Sequence, residues 1–166
     1  IEDELLFTED DTVNKDDIYE TVRILRNTGF FSDVSVKLDS VSPYDYDVYL
    51  TTKDRWSTFP IFIFGTGGNT TSIGGGFEEL NLLGRGAHVR FDAYHRSENA
   101  IRWQGSFLLT QRRLFSSEYY LDGIITANKF RTDEQVTVAK PFRTLRTELS
   151  YGVNYYNAFG RDFLFN

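Results

Sequence analysis

The chain has 166 residues, no cysteine and a formal net charge of −6. The missing thiols exclude disulfides, thiol catalysis and cysteine metal sites. Residues 1–56 carry 6 Lys/Arg and 14 Asp/Glu, a net charge of −8, whereas residues 57–166 carry 12 and 10, a net charge of +2. Such an acidic first part argues against nucleic-acid binding, which needs basic patches to neutralise phosphates.

The chain contains no apolar run of about 18 residues, so no transmembrane helix is encoded. A membrane role would therefore have to come through β-strands. There is neither an initiator Met nor a signal peptide. Together with the abrupt ending at Asp162–Asn166, this predicts a fragment or a processed piece.

A helix is predicted soon after the start of the chain. Asn14 is a suitable N-cap, and Asp16 and Asp17 place negative charge on the first turn, where the helix macrodipole is positive. One buried face at positions i, i+4 and i+7 is formed by Ile18, Val22 and Leu25. Gly29 can adopt the left-handed conformation that ends a helix.

Two alternating apolar runs follow the helix and predict an antiparallel hairpin. The first contains Val34, Val36 and Leu38, and the second contains Tyr46, Val48 and Leu50. The residues 42–45, Ser-Pro-Tyr-Asp, supply the turn.

From Ser57 onward, alternating segments of roughly 9 to 12 residues are separated by turns, a pattern typical of membrane-barrel strands. We predict about seven strands, at Ser57–Gly65, Ser72–Leu80, Val89–Tyr94, Ile101–Thr110, Tyr119–Phe130, Glu134–Phe142 and Leu145–Tyr155, with an eighth beginning at Asp162. Residues 131–134 are predicted to be a polar turn, and the glycines at 74–76 a bend of the strand. The 15 Phe, 10 Tyr and 2 Trp fit an aromatic belt beside lipid, but they equally fit a water-soluble sandwich or lipocalin-like barrel.

No pattern in the sequence points to catalysis, a metal or a cofactor. His88 and His95 are seven residues apart on one predicted strand and therefore project from opposite faces. No Gly-x-Ser-x-Gly elbow is present. Arg85, between two glycines, is open to two interpretations, a functional contact or a solvated charge, and Arg112 and Arg113 are interpreted as interface or surface charges. The prediction is a protein that is not an enzyme.

Four stretches of the sequence resemble one family. Asp11–Asn14 followed by Ile24–Val36 resembles the second helix and second strand of a POTRA domain, the periplasmic module that precedes barrels of the BamA/TamA-like outer-membrane assembly superfamily. Val138–Phe142 is similar to a turn of that family. A third stretch, Lys53, Asp54, Arg55 and Trp56, resembles the last POTRA strand where it runs into the barrel. A periplasmic turn after the second barrel strand is resembled by Asn81, Leu82, Leu83, Gly84, Arg85 and Gly86.

The resemblance implies an α+β POTRA-like module, truncated, at residues 1–56, and the N-terminal part of an outer-membrane β-barrel at residues 57–166. The barrel part would be an antiparallel up-and-down β meander. The first strand of the module is missing, and the family's Arg-Gly-Phe or Arg-Gly-Tyr lumen loop would lie beyond Asn166, since neither tripeptide occurs in the sequence. We carry over no residue of that loop.

The resemblance further implies a factor that inserts or translocates β-barrel proteins in the bacterial outer membrane without a cofactor, with residues 1–56 in the periplasm. Its partners would be unfolded outer-membrane proteins, outer-membrane lipid and accessory lipoproteins, and open sheet edges could pair two chains. Client strands would add to an edge strand comprising Asp33, Val34, Ser35, Val36, Lys37 and Leu38. The alternative is that the charges at 33, 37 and 39 protect this edge. The rival functions are a two-partner-secretion or passenger-anchoring barrel of the same superfamily, and a soluble lipid-binding β-domain.

Overall fold

The computed structural model describes residues 1–12, 14–97, 102–144 and 147–161. The chain forms two compact units. The first comprises Ile1–Trp56 with Arg143–Thr147, and the second comprises Ser57–Phe142 with the residues from Glu148 onward. Within the described ranges, no helix is both long and apolar enough to cross a membrane.

The first unit contains a short 3-10 turn at Glu2–Glu4, the helix α1 at Lys15–Asn27, and the strands β1 at Phe31–Ser40 and β2 at Tyr46–Asp54. The Oδ1 atom of Asn14 accepts the backbone N–H of Asp16 at 3.2 Å, and Gly29 has a φ of +76°. The predicted start and end of the helix are therefore confirmed. The predicted hairpin is confirmed as well, because β1 and β2 pair antiparallel with Val36 opposite Leu50.

The core of the first unit is small. It consists of Val22 and Leu25 from α1 and Val34 from β1, with Phe31, Val36 and Leu50 packed against it. Val22 and Leu25 belong to the predicted apolar stripe, and Ile18, its third member, is also buried. Away from this core, Arg143 Nη2 lies 3.2 Å from Glu4 Oε1 in a mostly buried ion pair.

The second unit is a seven-stranded antiparallel sheet in which every strand pairs with its neighbour in the chain, in the order β3 to β9. The strands are Thr58–Gly67, Thr70–Leu82, Ala87–Arg96, Trp103–Gln111, Tyr120–Asn128, Arg131–Lys140 and Tyr151–Gly160. This order is the predicted up-and-down meander. The predicted eighth strand at Asp162 and the predicted strand start at Ile101 lie outside the described residues.

The predicted strand starts differ most from the observed ones at the last two strands, and the last strand also ends at Gly160 instead of Tyr155. The turn predicted at residues 131–134 belongs to β8, because the chain turns earlier, where Asn128 Oδ1 accepts the backbone N–H groups of Phe130 and Arg131. The first four residues of β8 are all polar, so no apolar alternation marks them as a strand. The last strand begins at Tyr151, and Thr147–Ser150 are not in a strand; residues 145 and 146 lie outside the described ranges.

Strands β4 and β5 approach each other very closely at two glycines. A Cβ atom at Gly74 would lie 2.2 Å from the carbonyl oxygen of Ala93, and one at Gly76 would lie 2.0 Å from that of Phe91. No side chain fits at either position. The glycine run thus lets the two strands pack closely, and the bend predicted there stays a prediction.

Candidate functional site

One face of the seven-stranded sheet is apolar and exposed. Directly opposed residues of an antiparallel pair project from the same face, so the register assigns each side chain to a face. A continuous row across four strands is formed by Phe77, Phe91, Phe107 and Ile125. The same face carries most of the other large exposed apolar side chains of the seven strands, namely Phe62, Phe64, Ile73, Leu82, Trp103, Val136, Tyr151, Val153, Tyr155 and Phe159. We call this surface the apolar face. Tyr156 is exposed on the opposite face.

The aromatic side chains of the apolar face differ between its centre and its margins. Phe and Ile occupy most of the centre, where Glu134 also lies on this face opposite Ile125. Near one end of the strands, the rings of His95 and Trp103 pack edge to face with centroids 4.9 Å apart. Near the other end, Tyr119 and Tyr151 are joined through their hydroxyl groups. Polar-tipped aromatic rings at both margins of an apolar band are typical of strands that cross a membrane.

The opposite face of the sheet carries most of the charged side chains of the strands, and several of them are paired with one another. His88 Nε2 lies 2.9 Å from Glu78 Oε1, and Arg90 Nε donates to Asp92 Oδ1 at 3.1 Å. Further along, Asp133 accepts from Arg131 and from the hydroxyl of Tyr156. His88 lies on this polar face and His95 on the apolar face, which confirms that the two histidines point apart. Within the described residues, no cluster of three or more His, Asp or Glu side chains could hold a metal ion.

The outer edge of β3 is the first candidate site for strand addition. Leu80 donates its backbone N–H to the carbonyl of Ser57 at 2.9 Å, and hydrogen-bonded positions alternate along an antiparallel strand. Ile61 therefore directs its backbone groups toward β4, whereas Phe62 and Phe64 direct theirs away from it. In the part of the chain that the structure describes, β3 pairs with β4 alone. Pro60 shares the outward orientation but has no N–H to offer.

The outer edge of β1 is the second candidate site. The bond from Val41 N–H to the carbonyl of Asp45, 2.9 Å, sets the alternation in this hairpin. Of the six predicted client-binding residues, three direct their backbone groups toward β2, namely Asp33, Ser35 and Lys37, and three direct them away from it, namely Val34, Val36 and Leu38. Arg26 Nη2 donates to the carbonyl of Val34 at 2.7 Å and occupies that outward acceptor. Lys37 pairs with Asp39 at 2.8 Å on the exposed side of the strand.

The predicted junction residues lie where the first unit ends. Lys53 and Asp54 are the last residues of β2, and Arg55 donates its backbone N–H to the carbonyl of Phe30 at 2.9 Å. Trp56 is exposed and is the last residue of the first unit before Ser57.

The predicted motif from Asn81 to Gly86 forms the turn between β4 and β5. Asn81 Oδ1 accepts the backbone N–H of Gly86 at 2.7 Å, and the carbonyl of Asn81 accepts that of Gly84 at 3.0 Å. Leu82 is the last residue of β4. Positive φ angles follow at Leu83, Gly84 and Gly86, and at two of these three positions the residue is glycine, which adopts such angles without strain. The carbonyl of Arg85 accepts from Gln111 Nε2 at 3.1 Å while Arg85 itself is exposed. The motif residues thus have a clear structural role in closing the turn.

Two features of the strand edges were not predicted from the sequence: the outward orientation of Pro60 in β3 and the contact of Arg26 with β1. Pro60 carried a signal, since a proline inside a strand pattern indicates an edge strand. The contact of Arg26 with the carbonyl of Val34 carried none, because it depends on how α1 packs on β1.

Of the comparisons with known proteins, the one with solved structures finds similarity to a β-barrel protein. No family model matches the sequence, and no curated protein matches it. Among solved structures, the chain is similar to the crystal structure of BamA from Haemophilus ducreyi lacking POTRA domains 1-3, with a TM-score of 0.58 and 16% sequence identity. The match covers 83% of this chain and 28% of that chain, so this chain spans little more than a quarter of the BamA chain. At this identity the similarity shows the fold, which is that of part of a BamA-like β-barrel.

Proposed function

We propose that this chain is part of a bacterial outer-membrane protein that inserts or translocates β-barrel proteins by offering a strand edge as a template. Its client would be an unfolded outer-membrane protein, and its surroundings would be outer-membrane lipid. Residues 1–56 would be a truncated POTRA-like module in the periplasm, within reach of accessory lipoproteins. The fold shared with BamA and the two contrasting sheet faces support this proposal.

The apolar face supports the membrane location. Phe62 is 87% exposed and Phe64 is 75% exposed. Burying such side chains in lipid is favourable, because apolar surface removed from water contributes about 25 cal/mol per Å². The polar face carries the contacts His88–Glu78, Arg90–Asp92 and Arg131–Asp133, as expected of a wall that separates lipid from a polar interior.

The outward backbone of β3 is the observation that carries the templating role. A strand entering lipid with unpaired N–H and C=O groups loses several kcal/mol for each group. An edge that presents Phe62 and Phe64 supplies partners for those groups as the client strand arrives. The task is one of binding and scaffolding, and it requires neither a nucleotide nor a cofactor.

Disulfide trapping tests the proposal directly, because the chain has no cysteine of its own. Phe64→Cys places a single thiol at the outer edge of β3, and Phe107→Cys places one on the same face in the middle of the sheet. The protein, reconstituted in liposomes, is mixed with an unfolded eight-stranded outer-membrane protein that carries one cysteine in a terminal strand. We expect an adduct with Phe64→Cys and none with Phe107→Cys. Equal adduct yields would contradict edge templating.

Light scattering tests the rival of a soluble lipid-binding domain. Because the apolar face is exposed, we expect the chain to need detergent or to associate in buffer. A monomer in detergent-free buffer would favour the rival.

A further inference from the structure

We infer that Pro60 sets the register of strand addition at β3 by ending the available edge. This inference rests on the proposed function and adds to it the part of the edge that a client strand can use. Residues Ile61–Gly67, which follow Pro60 along β3, are called the upper segment. The occupant would be an extended client strand.

The orientation of Pro60 follows from two observations. The bond between Leu80 and Ser57 assigns outward backbone groups to the even-numbered residues of β3, and Pro60 is one of them. Proline lacks the N–H that an outward position would otherwise present. The missing N–H does not cost a hydrogen bond between β3 and β4, because it would point away from β4. Pro60 lies opposite Phe77 in an unbroken register.

Above Pro60 the edge is well suited to a partner strand. Phe62 and Phe64 each present an outward N–H and C=O, with no missing donor between them. The first four residues of this segment have apolar side chains on both faces, with Phe62 and Phe64 on the apolar face and Ile61 and Ile63 on the other. An incoming strand can therefore form a continuous ladder along the upper segment, and the ladder stops where the donor at residue 60 is missing.

The general explanation for an edge proline is protection from unwanted pairing. A proline placed to protect the whole edge would interrupt its middle. Pro60 is instead the third residue of β3 and leaves the remaining seven residues uninterrupted. Its position limits one end of the edge, which is what a register stop requires.

The test follows amide protection residue by residue. The protein in detergent micelles is titrated with a synthetic decapeptide of alternating valine and threonine, and hydrogen exchange is read by NMR. In the unchanged protein we expect protection at the amides of Phe62 and Phe64. In Pro60→Ala we expect additional protection at the new amide of residue 60 and about threefold to tenfold tighter binding, as one added hydrogen bond contributes.

A second pair of variants separates backbone from side chain. Phe62→Pro removes an outward donor from the upper segment, whereas Phe62→Ala keeps the donor and removes the ring. We expect Phe62→Pro to weaken peptide binding about tenfold relative to Phe62→Ala. Equal binding by the two would overturn the inference.

The two levels of the proposal fail in different ways. Protection at Phe62 and Phe64 without protection at residue 60 in Pro60→Ala would overturn the register stop and leave templating at β3 standing. An absence of protection at both phenylalanines would overturn templating at this edge and the register stop with it.

Discussion

Arg26 Nη2 donates a hydrogen bond to the backbone carbonyl of Val34 at 2.7 Å, across the open side of β1. The carbonyl of Val34 is one of the outward groups that a client strand would need. The Arg26 guanidinium therefore occupies the first outward acceptor of this edge. The outward backbone groups of Val36 and Leu38 remain available to a partner strand.

Val36→Pro should block strand addition at β1 without breaking the hairpin. The amide of Val36 points away from β2, so proline removes a donor from the outer edge and leaves the hydrogen bonds between β1 and β2 in place. The change also replaces a side chain that packs against the core, so the unfolding free energy is measured beside the crosslinking. We expect crosslinking between β1 and an unfolded outer-membrane protein to disappear, while circular dichroism is unchanged. Val48→Pro is the matched control, because its amide points away from β1 on the other edge of the hairpin. Unchanged crosslinking in Val36→Pro would contradict a role for β1.

Arg26→Ala should destabilise the first unit by about 1 kcal/mol, the net value of one hydrogen bond. Denaturant unfolding followed by circular dichroism would measure this loss. Lys37→Ala removes an exposed ion pair with Asp39 and should change the unfolding free energy by less than about 0.5 kcal/mol. A larger effect for Lys37→Ala than for Arg26→Ala would contradict the assignment.

Gly76→Ala should disrupt the second unit by about 1–3 kcal/mol or prevent its folding, because the new methyl group would meet the carbonyl of Phe91. Gly105→Ala offers a control in the same sheet, since its Cβ would lie 3.6 Å from the carbonyl of Asp92, an ordinary contact. Folding yield in detergent, read as heat-modifiable migration on a gel, reports the difference. Similar yields from both variants would show that β4 and β5 can separate at this point.

Phe107→Arg should destabilise the sheet in lipid vesicles by about 2–4 kcal/mol, the cost of a cation at the lipid-facing centre of a strand. Phe107 lies in the central row of the apolar face, whereas its neighbour Ser106 projects from the polar face opposite Asp92. Ser106→Arg should therefore be tolerated. Urea unfolding in vesicles gives the unfolding free energy of each variant. A larger loss for Ser106→Arg than for Phe107→Arg would contradict the assignment of the apolar face to lipid.

The Thr8–Asp11 turn should open in acid. The backbone N–H and the hydroxyl of Thr8 both donate to Asp11 Oδ2 at 2.9 Å, and these bonds hold the pKa of Asp11 below its ordinary value of 3.8. A lowered folded-state pKa means that the turn is stabilised above pH 3.8 and loses this contribution as the pH falls through the lower value. The amide shift of Thr8 should titrate with a midpoint below 3.8. Asp11→Asn should abolish that titration, and a midpoint at or above 3.8 would contradict the contact.

Local signals in the sequence were sufficient for much of the fold. Asn14 and Gly29 predicted the limits of α1 because capping and left-handed backbone are properties of single residues. Period-two alternation predicted the strands and the face on which Phe91 and Phe107 lie, because side chains alternate along any extended chain. The start of β8 was missed where Arg131–Glu134 offered no apolar alternation and the turn depended on the side chain of Asn128.

By itself, then, the sequence determined the strand pattern, the segregation of apolar and polar faces, and the helix with its hairpin. Only the tertiary structure decided which backbone groups face outward at Pro60, Phe62 and Val36, since that depends on the register between strands and not on residue type. It also decided that Gly76 must lack a side chain, because the obstructing atom belongs to Phe91 on another strand. The ion pair of Glu4 with Arg143 joins residues 139 positions apart, a contact that no local pattern can encode.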